Sequence, residues 1–362
     1  VTNLSIAQQR LYTQSIAPAT LEKPEDVVQW LGAVQAQDYL AGLWAIGLRM
    51  RNATEADIEQ AIVDKTIIRT WFMRGTVHFV PAADLRWMLR LMRPRLHMIS
   101  QNSIRYQQLE LDGATLAKSF SVLEKSLQGG KQLTRPELIT RLEQAEVARG
   151  GLGPTIILHQ AQADGLICQA PRQGKQFTFA LLDEWLPPGR RLEHDEALAE
   201  FTRRYFTGHG PATLQDFVWW SGLTIAEARA GLVMSKTQLV QEVIDGQTYW
   251  FSSSTPSMKE PSQVISLLPN FDEYIVGYKD RSAIFDATSH VDKLDSRGNV
   301  LFNNTIASAG QIVGTWKRTL KKDTVIIEAN PFAPFDEAEA NALTTAANRY
   351  AAFLGIPVTV LP

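Results

Sequence analysis

The sequence predicts an α+β protein built as three tandem winged-helix units followed by a small C-terminal α+β segment. Residues 114–182 read as three helices and then a strand pair, which is the winged-helix order, and the same order returns at 194–252. From Pro261 onward the chain turns to short strand-like runs closed by one long helix. A length of 362 residues exceeds one small core, so about two to four domains are expected.

The unit at 111–190 is the most readable. ATLAKSFSVLEKSLQ (114–128) has helical spacing and stops at Gly129-Gly130. Thr134 then caps a second helix with Pro136 in its first turn and Glu137 three residues on, a capping box. That helix is expected to run to about Ala148 and stop at Gly150-Gly151, with a third starting after Pro154. Two strands follow around Pro171-Arg172-Gln173-Gly174. In the unit at 191–260 a helix over 194–207 closes at Gly208. Thr213 opens the next with Asp216 in the capping position, and Thr224 with Glu227 opens a third. A hairpin turns at Asp245-Gly246.

The same template fits 1–110, with helices over Ser5–Ala17, Pro24 to about Gln35 and Thr54–Asp64, then strands turning at Arg74-Gly75. Further helices, rich in Trp, Met and Arg, run from Asp84 to Gln108. Residues 261–362 read as a cap of strands with a helix over DEAEANALTTAANRYAAFLG and a last strand VTVL. No residue-level repeat is visible, so the tandem reading rests on element order.

Bulk properties narrow the function. Apolar content of 45% and charged content of 20% are those of a globular protein. The single cysteine, Cys168, excludes an intrachain disulfide and suggests a reducing cytoplasm. No apolar run approaches the roughly 20 residues of a membrane helix, and the N-terminus lacks the pattern of a signal peptide, so no membrane is expected as a partner. Net charge is −2, yet from 65 to 105 the basic residues are Lys65, Arg69, Arg74, Arg86, Arg90, Arg93, Arg95 and Arg105, against one acid, Asp84. Either a phosphate-facing surface or a helix face paired with acids elsewhere gives this pattern.

Familiar chemistries are mostly excluded. The histidines (78, 97, 159, 194, 209 and 290) lack zinc-ligand spacing, so neither a metal nor a cofactor is expected. Gly150-Gly151-Leu152-Gly153-Pro154 has no Lys-Ser/Thr partner and is no phosphate loop, and no Gly-x-Ser-x-Gly elbow occurs. Three stretches remain. Gln35-Ala36-Gln37-Asp38 is either a helix end or a contact surface. Thr70–His78 is a wing with Trp71 and Met73 in its core and Arg74 solvated, or a binding loop. In LLPNFDEYIVGYKDR, Asp272 and Arg281 are candidates for a buried ion pair.

Together these stretches resemble the AlkZ-like winged-helix DNA glycosylase family over nearly the whole chain. Gln35-Ala36-Gln37 matches its QxQ motif, and Trp71, Met73, Arg74, Gly75, Thr76 and His78 match its Trp-x-Met-Arg-Gly-Thr-x-His stretch. Gly210–Thr213, Trp220 with Gly222, the Leu-Pro-x-Phe-Asp-x-Tyr segment at Leu268–Tyr274 and Gly314–Trp316 complete the ordered set. The QxQ form, in place of QxD, is that of the crosslink-specific branch. The resemblance implies a C-shaped, monomeric protein around double-stranded DNA, alkylated or crosslinked. It implies Gln35 and Gln37 at the catalytic centre, with Asp38 as a candidate assistant, and release of cationic N7-alkylated purines by water attack at C1′. Arg74, Thr76 and His78 on the wing, and Arg86, Arg90, Arg93 and Arg95 beyond it, become the candidate DNA contacts. The rival readings are a non-catalytic DNA-binding protein or regulator, and a protein-interaction scaffold.

Overall fold

A computed structural model describes residues 3–102, 112–147, 152–253, 264–285 and 303–361. The expectations for Arg105, His290, Gly150-Gly151, the helix limits at Gln108 and Ala148 and the boundary at Pro261 lie outside these residues. The chain divides into two compact units. One holds Val1–Ile58, Ala199–Trp220 and Thr224–Pro362; the other holds Glu59–Leu198 and Ser221–Leu223.

In the second unit, Ile67–Trp71 and Val77–Pro81 form an antiparallel pair in the register Ile67↔Pro81 to Trp71↔Val77. The helix Leu85–Gln101 follows, with Pro94 inside it. Asp112 then caps the helix Gly113–Leu127, and the expected capping box of Thr134 and Glu137 opens the helix Arg135–Gln144. That helix stops short of Ala148 because Ala145 caps it and Glu146 turns left-handed (φ +57°). Its apolar stripe (Leu138, Leu142) meets Leu123, Leu127, Ile157, Leu158, Ala161, Ile167 and Phe179 in one buried cluster. Leu133–Thr134 adds a short strand that the sequence did not announce, giving a three-stranded sheet with Ile167–Gln173 and Gln176–Leu181. The turn sits at Gly174-Lys175, later than expected. A register shift between Ala170 and Gln173 carries Pro171 and Arg172 into the strand as a bulge.

In the first unit, the helix Asn3–Thr13 ends before Ala17, where Ser15 adopts φ +56°. The helix Pro24–Leu31 ends four residues before Gln35, because Gly32 takes φ +81° and returns its N–H to the Gln29 carbonyl. A further helix, Tyr39–Gly47, was not visible in the sequence. Ala41 to Gly47 are all buried, so no polar face gives it a period. The helices Leu214–Ser221 and Ile225–Ser235 follow their expected caps: Thr213 and Asp216 bond reciprocally, and Thr224 and Glu227 form a box. Asp245 and Gly246, both left-handed, close the hairpin of Leu239–Ile244 and Gln247–Ser252.

A five-stranded sheet completes this unit. Its order is Val358–Leu361, Val325–Pro331, Gln311–Leu320, Thr305–Ser308, Ile265–Leu268, antiparallel except for the first pair. The helix Glu337–Leu354, capped by Asp336 and ended by left-handed Gly355, places Tyr350 and Phe353 against Trp44. Trp44 and Trp316 donate their indole N–H groups to the Leu267 and Leu268 carbonyls, tying core to sheet edge. No helix among the described residues is long and apolar enough to cross a membrane.

Candidate functional site

The Gln35–Asp38 stretch is not the end of the preceding helix. Past the Gly32 stop, Val34–Gln35 is a two-residue strand. Val34 and Ala36 are fully buried, Gln35 is nearly so, and Gln37 is exposed. The chain is thus buried through Ala36 and reaches the surface at Gln37, where it bends into the next helix. The helix-end reading of the two amides therefore falls. Asp38 begins the next helix: its carboxylate accepts from the Ala41 N–H at 3.1 Å and from Asn270 Nδ2 at 3.5 Å.

The segment facing this stretch is Leu268–Tyr274. Its Asp272 does not pair with Arg281. Arg49 is the partner, with Nη1 and Nη2 donating to the two carboxylate oxygens at 2.9 Å each, both side chains fully buried. Arg281 instead donates to the Ile275 carbonyl and lies over the Trp219 ring. The next residue, Glu273, is also fully buried. Its Oε1 accepts from the Gln35 backbone N–H at 2.9 Å, and its Oε2 from Trp220 Nε1 at 2.8 Å, with His209 Nε2 at 3.4 Å. Gln14 links Arg49 to the Tyr278 hydroxyl, and Arg10 lies over the Tyr278 ring beside Asp216. Burial pushes the Tyr205, Tyr274 and Tyr278 hydroxyls up, so all three remain neutral donors.

Glu273 and Asn270, which both hydrogen-bond to the Gln35–Asp38 run, occupy the unspecified positions of Leu-Pro-x-Phe-Asp-x-Tyr. A motif records what it fixes, so its gaps hid them. His209 carries no ligand spacing, so no sequence pattern marks it.

In the second unit, Trp71 and Met73 are core, and Arg74 sits at the turn in a left-handed conformation (φ +56°), half-buried. Trp71 stacks on His159 at 5.1 Å and donates to the Gly75 carbonyl. Thr76 Oγ1 donates to the Met73 carbonyl. His78 is fully buried, edge-on to Phe72, with Nδ1 3.2 Å from the Thr76 carbonyl oxygen. That burial suits support of the turn and not direct contact with a ligand.

The basic stretch divides. Lys65 lies over the Trp185 ring, Arg69 over Phe177 while it donates to Gln169, and Arg86 pairs with Asp183 and the Leu186 carbonyl. Arg95 donates to the Gly222 carbonyl. Arg90 and Arg93 are exposed on the helix Leu85–Gln101, without an ion-pair partner among the described residues. No group of three metal-ligating side chains occurs among the described residues.

Comparison with known proteins gives three findings. The family described as DNA glycosylase AlkZ-like matches residues 28–353. The interstrand DNA cross-link repair glycosylase of Streptomyces sahachiroi is 25% identical over 328 residues, 85% of each chain. The solved structure of the Streptomyces sahachiroi DNA glycosylase AlkZ aligns with a TM-score of 0.81 at 22% identity, covering 100% of both chains, a likeness of fold.

Proposed function

The chain belongs to the AlkZ-like DNA glycosylase family, and from that premise we propose that it is a monofunctional DNA repair glycosylase releasing cationic N7-alkylated purines, those of interstrand crosslinks included. The relative from Streptomyces sahachiroi is named for crosslink repair, and this chain carries the two-amide form of the motif. The domain reading stands within the same proposal: winged helices at 1–110, 111–190 and 191–260, and an α+β cap from 261.

The observation that carries the proposal is the Gln35–Gln37 stretch leaving the Val34–Gln35 strand, with Gln37 exposed and the Gln35 backbone fixed to a buried carboxylate. Alkylation at N7 makes the base a good leaving group. The C1′–N9 electron pair returns to the base, which leaves neutral, while water attacks C1′ and gives its proton to solvent. The Gln37 carbonyl accepts a hydrogen bond from that water, and Gln35 orients it. An amide is a poor general base, so activated lesions are substrates and normal bases are not. Asp38, engaged as a helix cap, keeps the following turn in place. Arg74, Arg90 and Arg93 meet phosphates, with Thr76 and His78 supporting the Arg74 turn. Arg86 and Arg95 hold the Leu85–Gln101 helix to its own unit.

The test is incubation with duplex DNA carrying one N7-alkylguanine, as monoadduct and as crosslink, scored for alkali-labile abasic sites. Release by wild type that is lost in Gln35→Ala and Gln37→Ala with duplex binding intact supports the proposal. Binding without release in all three leaves a non-catalytic DNA-binding protein.

A further inference from the structure

Within the first unit, three features help to hold the Gln35–Asp38 run. Gly32 stops the preceding helix, the Gln35 N–H meets Glu273 Oε1 at 2.9 Å, and Asp38 meets both Ala41 and Asn270. Two of the three anchors come from one short segment, residues 270–273. That segment is itself fixed by the two-pronged Arg49–Asp272 pair between them. The central anchor is a fully buried carboxylate that accepts from the Gln35 N–H and from the Trp220 Nε1–H, with His209 Nε2 3.4 Å from Oε2. His209 cannot drift, because its ring stacks on Tyr205 at 4.7 Å and a Cβ at Gly277 would come within 2.8 Å of it.

We propose that Glu273 is a positioning residue, clamping the Gln35 peptide so that the Gln35 and Gln37 side chains are presented in one register. This rests on the Gln35–Gln37 pair being the place of base release. The chemistry demands a carboxylate. A glutamine at 273 offers one accepting oxygen and one N–H2 group, and in the same rotamer the N–H2 meets either the Gln35 N–H or the Trp220 N–H, donor against donor. Relief comes only by moving one of the two donors away from residue 273, and the exchange measured at 33–38 reports whether the Gln35 N–H is the one that moves. Removing the indole donor with Trp220→Phe frees the second oxygen's side, so Glu273→Gln in that background again accepts from Gln35.

The experiment has two readouts on the full chain. Single-turnover base release from a duplex with one N7-methylguanine is measured beside duplex affinity and thermal midpoint. Backbone deuterium exchange of peptides spanning 33–38 is measured without DNA. Glu273→Gln is expected to slow release by about ten- to a hundredfold, the loss that follows small misplacement of reacting groups. Affinity should hold and exchange at 33–38 should rise, with Trp220→Phe as the reference and Glu273→Gln/Trp220→Phe regaining most of both. Where Glu273→Gln does not fold, Glu273→Asp carries the test, since the shorter carboxylate cannot reach both donors. Unchanged exchange overturns the clamp, as does release within about twofold of wild type. Rate, affinity and midpoint falling together, with no recovery in the double variant, overturn it as well, leaving a residue of the general fold. Absence of release by wild type removes the proposed function, and exchange alone then decides the clamp.

Discussion

Asp272→Ala isolates the energetics that hold the site segment. The Arg49 guanidinium and the Asp272 carboxylate are both fully buried and share two hydrogen bonds of 2.9 Å. Removal of the carboxylate leaves Arg49 with the Ala45 carbonyl and Gln14 Oε1 as uncharged acceptors, each at 2.7 Å. An uncompensated buried charge of this kind costs about 3–5 kcal/mol. The same substitution deletes the cap that Asp272 Oδ1 gives the Tyr274 N–H at 2.8 Å, worth about 1 kcal/mol. For a unit of about 200 residues each kcal/mol lowers the midpoint by about 2–4 °C, so a fall of about 10–20 °C is expected in calorimetry. Arg49→Met combined with Asp272→Leu should regain most of it, because well-packed apolar pairs replace buried ion pairs at little net loss. A fall under about 2 °C for Asp272→Ala, or a double variant as unstable as the sum of its singles, would refute the reasoning.

Three further outcomes follow from other parts of the structure. Arg90→Ala and Arg93→Ala should each weaken duplex binding and flatten the slope of log affinity against log salt by about one unit. Arg86→Ala, which unpairs Asp183, should lower stability and leave that slope unchanged. Burial pushes the Cys168 thiol up to about 12; a disulfide-exchange reagent should therefore find no reactive thiol in the native protein and one after denaturation. Burial, with the Arg135 charge adding to it, lowers the His159 pKa from 6.5 to about 4. As pH falls through this window the unfolded chain takes the proton first, so the second unit loses stability between about pH 6.5 and 4, by at most about 3 kcal/mol. His159→Phe, which preserves a ring beside Trp71, should abolish that loss in urea titrations at pH 7 and 4.5.

What the sequence disclosed and what it withheld follow one physical line. Capping at Thr134, Thr213 and Thr224 and the Asp245-Gly246 turn are local agreements between side chain and backbone, and all were legible. The Tyr39–Gly47 helix was not, since a segment buried on every side has no contrast to read. Asp272 was assigned the nearest arginine in sequence. Its partner lies 223 positions away, and pairing at that range is set by packing. The basic stretch shows the same limit. Composition counted its charges, but only the fold separates Lys65, Arg69 and Arg86, engaged within their unit, from exposed Arg90 and Arg93.

The candidate site's two amides bring no charge to the reaction, so their contribution has to be geometric, and the carboxylate that hydrogen-bonds to them, Glu273, is engaged by the Gln35 backbone and the Trp220 indole. Gln37→Asp tests which end of the Gln37 amide acts. If its carbonyl receives the attacking water, a carboxylate at the same exposed position is a stronger acceptor. Release from N7-methylguanine should then hold or rise, and should decline as pH drops below about 4, the ordinary aspartate range. If instead the amide N–H2 touches the sugar or the leaving base, the substitution removes the needed donor and sets a negative charge against it. Release would then vanish while duplex binding persists. The second result would refute water placement by Gln37 and move the water to Gln35.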